Sequence, residues 1–246
     1  MTYCVAVKLD AGLVLMSDTR TNAGVDNISR FRKMYTWENP GERAIATMSS
    51  GNLSITQGVI NRLSAAIKRA DAGEEIETIL NAPTMFRVAQ LVGETMLEMQ
   101  DRHRADLIEQ GAGADALILV SGQISTGDHR AFMVYSAGNF IEATEDTPFL
   151  QIGEHKYGKP ILDRLITPET PLNVALQAVF LSMDSTIRSN LSVGMPLDLA
   201  VIRTGECRFS TQRRIQPEDD DWQAISTKWA DAIRGAFDEL PEVWLG

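Results

Sequence analysis

From the third residue the chain alternates, with Tyr3, Val5, Val7 and Leu9 set against Cys4, Ala6 and Lys8. That is the period-two pattern of a strand. Asp10-Ala11-Gly12 carries turn chemistry and Leu13 to Ser17 reads as the return strand, so a hairpin with a three-residue loop and a left-handed Gly12 is expected. In that register Leu9 faces Leu13 and Thr2 faces Arg20, with Asp18 diagonal to Thr2 on the same face. A polar loop, Thr21 to Asn27, leads to a basic strand-like stretch ending Arg32-Lys33-Met34-Tyr35. Ala44 to Met48 is a third strand-like run, closed by Ser49-Ser50-Gly51. The period then lengthens to that of helices. Ile55, Val59, Leu63, Ala66 and Ile67 trace one face of a first helix, and Met85, Val88, Ala89, Val92, Met96 and Met99 one face of a second. A methionine stripe at this spacing is core filling.

Strand character returns at 115–120, 131–137, Phe140 to Ala143 and Phe149 to Ile152. A third helix is expected from near His155. A fourth should follow Thr170-Pro171, with Thr170 as N-cap and Pro171 at the first helical position. Leu197 to Arg203 reads as a strand. Asp219 to Phe237 reads as a last helix with Trp222, Ile225, Trp229 and Ile233 along one side. Strand groups alternating with helix pairs predict an α+β chain: two antiparallel sheets packed face to face with helices on their outer faces. The turns are too short for parallel crossovers. No linker and no repeat interrupts residues 1–246, so one domain is expected, with a C-terminal helical extension over about 217–246.

Composition narrows the functions. The 246 residues carry 23 Lys+Arg against 33 Asp+Glu, a net charge of −10, which disfavours binding to nucleic acid or to anionic membranes. Cys4 and Cys207 form no ligand pair or disulfide framework, and His103, His129 and His155 are too scattered for a metal site. No cofactor is expected. The chain has no run long and apolar enough for a membrane span, and no basic segment precedes an apolar one at the N-terminus, so a cytoplasmic protein is expected.

The chemistry concentrates at the start. Removal of Met1 would leave Thr2 with a free α-amine beside its own hydroxyl, and an amine with a pKa of about 8 can act as that hydroxyl's general base. Asp18 and Lys33 fall where they can pair near Thr2, and a cation there favours the alkoxide. The acidic run Glu218 to Asp221 reads as a solvated helix start. Trp222, Trp229 and Trp244 suit either the chain's own core or an oligomer interface.

Thr2, then Ser17-Asp18-Thr19-Arg20 with Ala23-Gly24, then Lys33, then Met48-Ser49-Ser50-Gly51, resembles the catalytic half of proteasome β-type subunits. The opening Thr-Tyr-Cys-Val-Ala-Val-Lys-Leu is most similar to the bacterial Anbu branch. The resemblance implies the four-layer αββα sandwich of N-terminal-nucleophile hydrolases and a threonine peptidase with Thr2 as nucleophile and base. Asp18 and Lys33 would be its supporting pair and the Ser50 backbone N–H its oxyanion donor, a contribution on the order of 3 kcal/mol. Ser189 and Ser192 would belong to a second polar cluster. Substrate backbone would add as a strand beside Thr21-Asn22-Ala23, with Met48 hinting at a neutral pocket. Glu154 stands where the family has a small hydroxyl residue, and Ser189 where it has an aspartate. The implied partners are a peptide or protein substrate, further copies of the chain in a ring or open helical stack, and ATP-grasp and transglutaminase-like proteins. An idle scaffold of the same fold, or an amidohydrolase on a small amide, are the alternatives.

Overall fold

A computed structural model describes residues 2–22, 28–125 and 127–242. The chain runs β1 (Tyr3–Leu9), β2 (Gly12–Asp18), β3 (Arg20–Asn22), β4 (Ile28–Arg30), β5 (Met34–Asn39) and β6 (Arg43–Gly51) into α1 (Leu53–Asp71) and α2 (Met85–Glu109). It continues through β7 (Ala116–Ile124), β8 (Arg130–Val134), β9 (Phe140–Glu142) and β10 (Phe149–Gly153) to α3 (Lys159–Leu165) and α4 (Leu172–Ser189). β11 (Leu197–Arg203), β12 (Phe209–Ile215) and α5 (Asp220–Asp238) complete it.

Two five-stranded antiparallel sheets result, ordered β10-β1-β2-β11-β12 and β5-β6-β7-β8-β9, with β3 and β4 as a separate small ribbon. Strand alternation sorts the side chains into layers. On β1 and β2, Tyr3, Val5, Val7, Val14 and Met16 face Leu162 of α3 and Ala178, Val179 and Met183 of α4. Their neighbours Cys4, Ala6, Leu13 and Leu15 meet Ala44, Ala46, Met48 and Leu119 of the second sheet. The opposite face of that sheet, with Ile45, Ile118 and Val120, receives the methionine stripe of α2 and Ile55, Val59 and Leu63 of α1. This is the expected αββα sandwich. Strands covered on both faces explain why β1, β2 and β6 are buried almost along their whole length.

Several details differ from expectation. Leu9 pairs with Gly12 and Cys4 with Ser17, so the hairpin has a two-residue loop and its register is shifted by one residue. Gly12 is needed for close approach: its φ is +139°, and a Cβ there would collide with the Ile202 carbonyl oxygen on β11. The basic stretch is not a strand up to Tyr35; residues 31–33 are irregular and β5 begins at Met34. α3 starts at Lys159, after a turn over 155–158. Pro171 is itself the N-cap of α4, while the Thr170 hydroxyl accepts from Thr167 N and donates to Leu165 O. β12 was not expected, because its run Phe-Ser-Thr-Gln-Arg-Arg-Ile is exposed over most of its length and lacks a core signature. Trp222 packs on Phe180 of α4, with ring centroids 5.9 Å apart, so it belongs to the chain's own core. Trp229 is half-buried in a groove between α4 and α5, and Trp244 lies outside the described residues. Asp219 caps α5 by accepting from Trp222 N, and Arg213 bridges Asp219 and Asp221.

Candidate active site

The one-residue shift in the first hairpin changes how Asp18 reaches Thr2. Asp18 shares the sheet face of Met16 and Tyr3, opposite to the face expected. Its position at the end of β2 lets the carboxylate turn into a nest of donors instead. Oδ1 accepts from Tyr3 N (3.0 Å) and Lys33 Nζ (2.6 Å), and Oδ2 from Arg20 N (3.1 Å) and Gly194 N (3.2 Å). The Tyr3 bond is the informative one, because it fastens the carboxylate to the amide that immediately follows Thr2. Asp18 is fully buried. Burial pushes its carboxyl up from the ordinary carboxylate range, and the Lys33 ammonium and then the Tyr3 and Gly194 N–H groups draw it back down.

Lys33 is buried as well, a placement a lysine tolerates when its charge is paired and hydrogen-bonded. Besides the Asp18 bond, Nζ donates to the Arg20 carbonyl at 2.5 Å. The irregular segment before β5 is held in turn by Phe31 N donating to Thr19 O and Ser49 N donating to Lys33 O. Lys33 is therefore tied both to β2 and to the Ser49-Ser50-Gly51 end of β6.

Thr2, Thr21, Lys33, Ser50 and Glu154 line one cavity of about 490 Å3. Its far wall is Leu53 and Thr56 from the first turn of α1 and Leu117 from β7. Asn52 places that turn: its side chain accepts from Ser54 N and Ile55 N as the N-cap of α1. Leu117 arrives because β7 pairs with β6 in the register that sets it opposite Ser50. On the other side Glu154 N donates to Thr2 O at 2.7 Å, continuing the β1–β10 ladder. Gly153 permits this, with φ +83° and no Cβ to strike the Thr2 carbonyl.

The expected residues thus divide. Thr2, Asp18, Lys33, Ser50 and Thr21 come together. Asn22 ends β3 beside Thr21, and Ala23 lies outside the described residues. Met48 is not on the cavity wall; it points between the sheets among Cys4, Leu15 and Met34, because residues 44, 46 and 48 of β6 share the inner face. Ser189 is exposed at the end of α4, in a groove with Trp229 and Ile233. Ser192 N donates to Asn190 Oδ1 within the following loop, which touches the centre through Gly194 N. Leu53, Thr56 and Leu117 carried no chemical signal in the sequence and join the site only by pairing and helix placement. The cavity has a nucleophile position, a buried ammonium–carboxylate pair and the polar end of β6 beside it, the parts an acyl-transfer site requires.

No family model matches the sequence, and no curated protein matches it either. Solved structures do match. The chain is similar to "Anbu (ancestral beta-subunit)" from Yersinia bercovieri, with 42% identity, a TM-score of 0.91 and 99% of each chain covered. It is equally similar to Anbu from Hyphomicrobium sp. strain MC1, at 42% identity and TM-score 0.90, with 99% of this chain and 100% of that one covered. A third match is the "Helical Assembly of the Anbu Complex from Pseudomonas aeruginosa", at 42% identity and TM-score 0.92, covering 99% and 98%. With near-complete coverage, that identity and the same two-sheet sandwich, the chain belongs to the Anbu family of proteasome-related N-terminal-nucleophile hydrolases.

Proposed function

We propose that the chain is a threonine-type peptidase that hydrolyses peptide amides through an acyl-enzyme on Thr2 after Met1 is removed. The observation that carries this is the buried Lys33–Asp18 pair, hydrogen-bonded to the amide next to Thr2 and sharing a cavity with it. In the first half-reaction the Thr2 α-amine takes the proton of Oγ1 as that oxygen bonds to the scissile carbonyl carbon. The Lys33 ammonium lowers the cost of the developing alkoxide, and a backbone N–H at the Ser49–Gly51 end of β6 receives the oxyanion. Collapse breaks the C–N bond, and the amine passes its proton to the leaving nitrogen. Water then attacks the ester with the amine again as base, and release of the acid restores the hydroxyl. An extended peptide would lie beside Thr21 and Asn22.

Ser192 supports the site through its loop, which delivers Gly194 N to Asp18. We place Ser189 and Met48 outside the substrate's reach. The helical assembly of the Pseudomonas relative supports self-association of this chain into a multi-subunit complex. Light scattering at micromolar concentration would register that as a mass well above a dimer. The described helices include none long and apolar enough to cross a membrane.

Intact-mass analysis with a peptidyl β-lactone tests the chemistry. Expected are loss of Met1 and a single covalent adduct that Thr2→Ala abolishes. Lys33→Ala should also abolish labelling, whereas Ser50→Ala should be nearly silent because the donor is a backbone N–H. An unlabelled wild type, or a Thr2→Ala chain that still turns over peptides, overturns the peptidase and leaves a scaffold of the same fold.

A further inference from the structure

Thr2 and Glu154 face each other across the end of the β1–β10 ladder. Tyr3 pairs with Gly153, and Glu154 N donates to Thr2 O at 2.7 Å, so the two residues are directly opposed. Both residues lie just past the strand ends, where the backbone turns at Gly153 (φ +83°), and both line the same cavity. The Glu154 atom Oε2 is buried and accepts no hydrogen bond among the described residues. The Lys156 ammonium stands 3.3 Å from it, on a side chain 65% exposed and outside hydrogen-bonding geometry. A buried acceptor without a hydrogen-bond donor is costly, so this oxygen calls for one.

We propose that Glu154 is the positioning residue of the nucleophile: its carboxylate receives the α-amino group that removal of Met1 exposes on Thr2. This rests on the peptidase reading above and assigns a part of that site. The other charged groups around the cavity are already engaged. Lys33 is held by Asp18 and the Arg20 carbonyl. Arg20 donates its guanidinium to the Leu191 and Val193 carbonyls. His155 is exposed with Nδ1 at Gly153 O, 3.1 Å away. α1 and β7 contribute Leu53, Thr56 and Leu117, which carry no charge.

The consequence is a proton gate. An anion beside an amine favours the ammonium form, and an ammonium cannot take the Thr2 hydroxyl proton. Lys33 acts in the opposite sense but is paired with Asp18, and Lys156 beside Glu154 is largely exposed and screened by solvent, so Glu154 sets the balance. The mature chain should hold its nucleophile in reserve at neutral pH and react faster as the pH rises.

The test uses the full chain with two readouts. Competitive acetylation with acetic anhydride, followed by peptide mass spectrometry, titrates the Thr2 amine itself. The pH dependence of β-lactone adduct formation titrates its reactivity. Wild type should titrate above about pH 8, the ordinary range of an α-amine. Glu154→Gln should titrate lower by about one unit, and so label about tenfold faster at neutral pH, while Glu154→Asp should stay near wild type. A fold defect changes the labelled fraction but not the titration midpoint, and circular dichroism reports it separately. If wild type and Glu154→Gln titrate together while the β-lactone still labels Thr2, this role of Glu154 is overturned and the peptidase stands. If the amine titrates high in wild type and lower in Glu154→Gln but no adduct forms at any pH, the peptidase falls and the pairing stands. Retention of Met1 in every chain overturns both.

Discussion

A lysine and an aspartate that are both sealed from solvent depend on each other more than on anything else nearby. Lys33 Nζ lies 2.6 Å from Asp18 Oδ1, and their side chains are 5% and 0% exposed. Removing one member of such a pair leaves an uncompensated buried charge, at a cost of about 3–5 kcal/mol. Lys33→Met keeps most of the apolar stem and deletes the ammonium with its hydrogen bonds to Asp18 and the Arg20 carbonyl; Asp18→Asn keeps the shape and deletes the anion. Each single change should lower the unfolding free energy by several kcal/mol, whereas the double variant should lose less than the sum, with a coupling of at least about 1 kcal/mol. Urea unfolding of the four proteins checks this, and strict additivity would show that the pair does not act as a unit. Labelling should respond differently, with Lys33→Met inactive and Asp18→Asn retaining part of its rate through a hydrogen bond to Lys33. Both residues were legible in the sequence by spacing. Their pairing was legible too, but the face from which Asp18 reaches Thr2 was not, since the register expected for the hairpin is displaced by one residue in the structure.

At the scale of single elements the site depends on how β10 ends. Gly153 sits at φ +83° with its missing Cβ aimed at the Thr2 carbonyl. Gly41 has nearly the same φ, +82°, but open space around it. Gly41→Ala therefore measures backbone strain alone, about 1–2 kcal/mol, while Gly153→Ala adds a collision with β1. The second should cost more than the first by urea unfolding and should also displace Thr2, seen as lost β-lactone labelling with Gly41→Ala unaffected. Equal costs with intact labelling would mean that β10 does not position the nucleophile. The N-terminus of α1 makes a smaller contribution. Asn52→Ala removes acceptors for Ser54 N and Ile55 N and should cost about 1 kcal/mol. A glycine before the Glu154 run was visible in the sequence. The strand that it ends was legible, but its partner β1, some 150 residues away, was not.

Across the whole molecule the two sheets are also clamped at the end remote from Thr2. His129, just ahead of β8, donates from Nε2 to the Leu9 carbonyl at 2.6 Å, and its Nδ1 is 3.2 Å from the Thr204 hydroxyl that follows β11. Burial holds this imidazole below its ordinary pKa of 6.5, against the opposing pull of the Leu9 hydrogen bond. Below pH 6.5 the unfolded chain takes up the proton before the folded one does. The contribution is therefore complete above that pH and is lost as the pH falls through the depressed value. The Tm should drop between about pH 7.5 and about pH 5.5, and His129→Gln should reduce the drop. Identical pH dependence in the two proteins would remove His129 from the cause. Neither the clamp nor its pH sense was visible in a lone histidine between two strands.

Local pattern was enough for the elements that bury a face. The alternation of Tyr3 to Leu9, the helical stripes Ile55 to Ile67 and Met85 to Met99, and the order of strands and helices determined the sandwich, because desolvation of apolar positions at a fixed period leaves few other solutions. Thr2, Asp18 and Lys33 were legible because their residue types and spacing carry the chemistry. The tertiary structure alone decided the rest. It set the hairpin register, which close packing of Gly12 on β11 fixes, and it drew Met48 into the space between the sheets. It also left Ser189 outside the cavity and brought Leu53, Leu117 and Glu154 to Thr2. Those outcomes depend on contacts between segments far apart in the chain, whose energies no local period encodes.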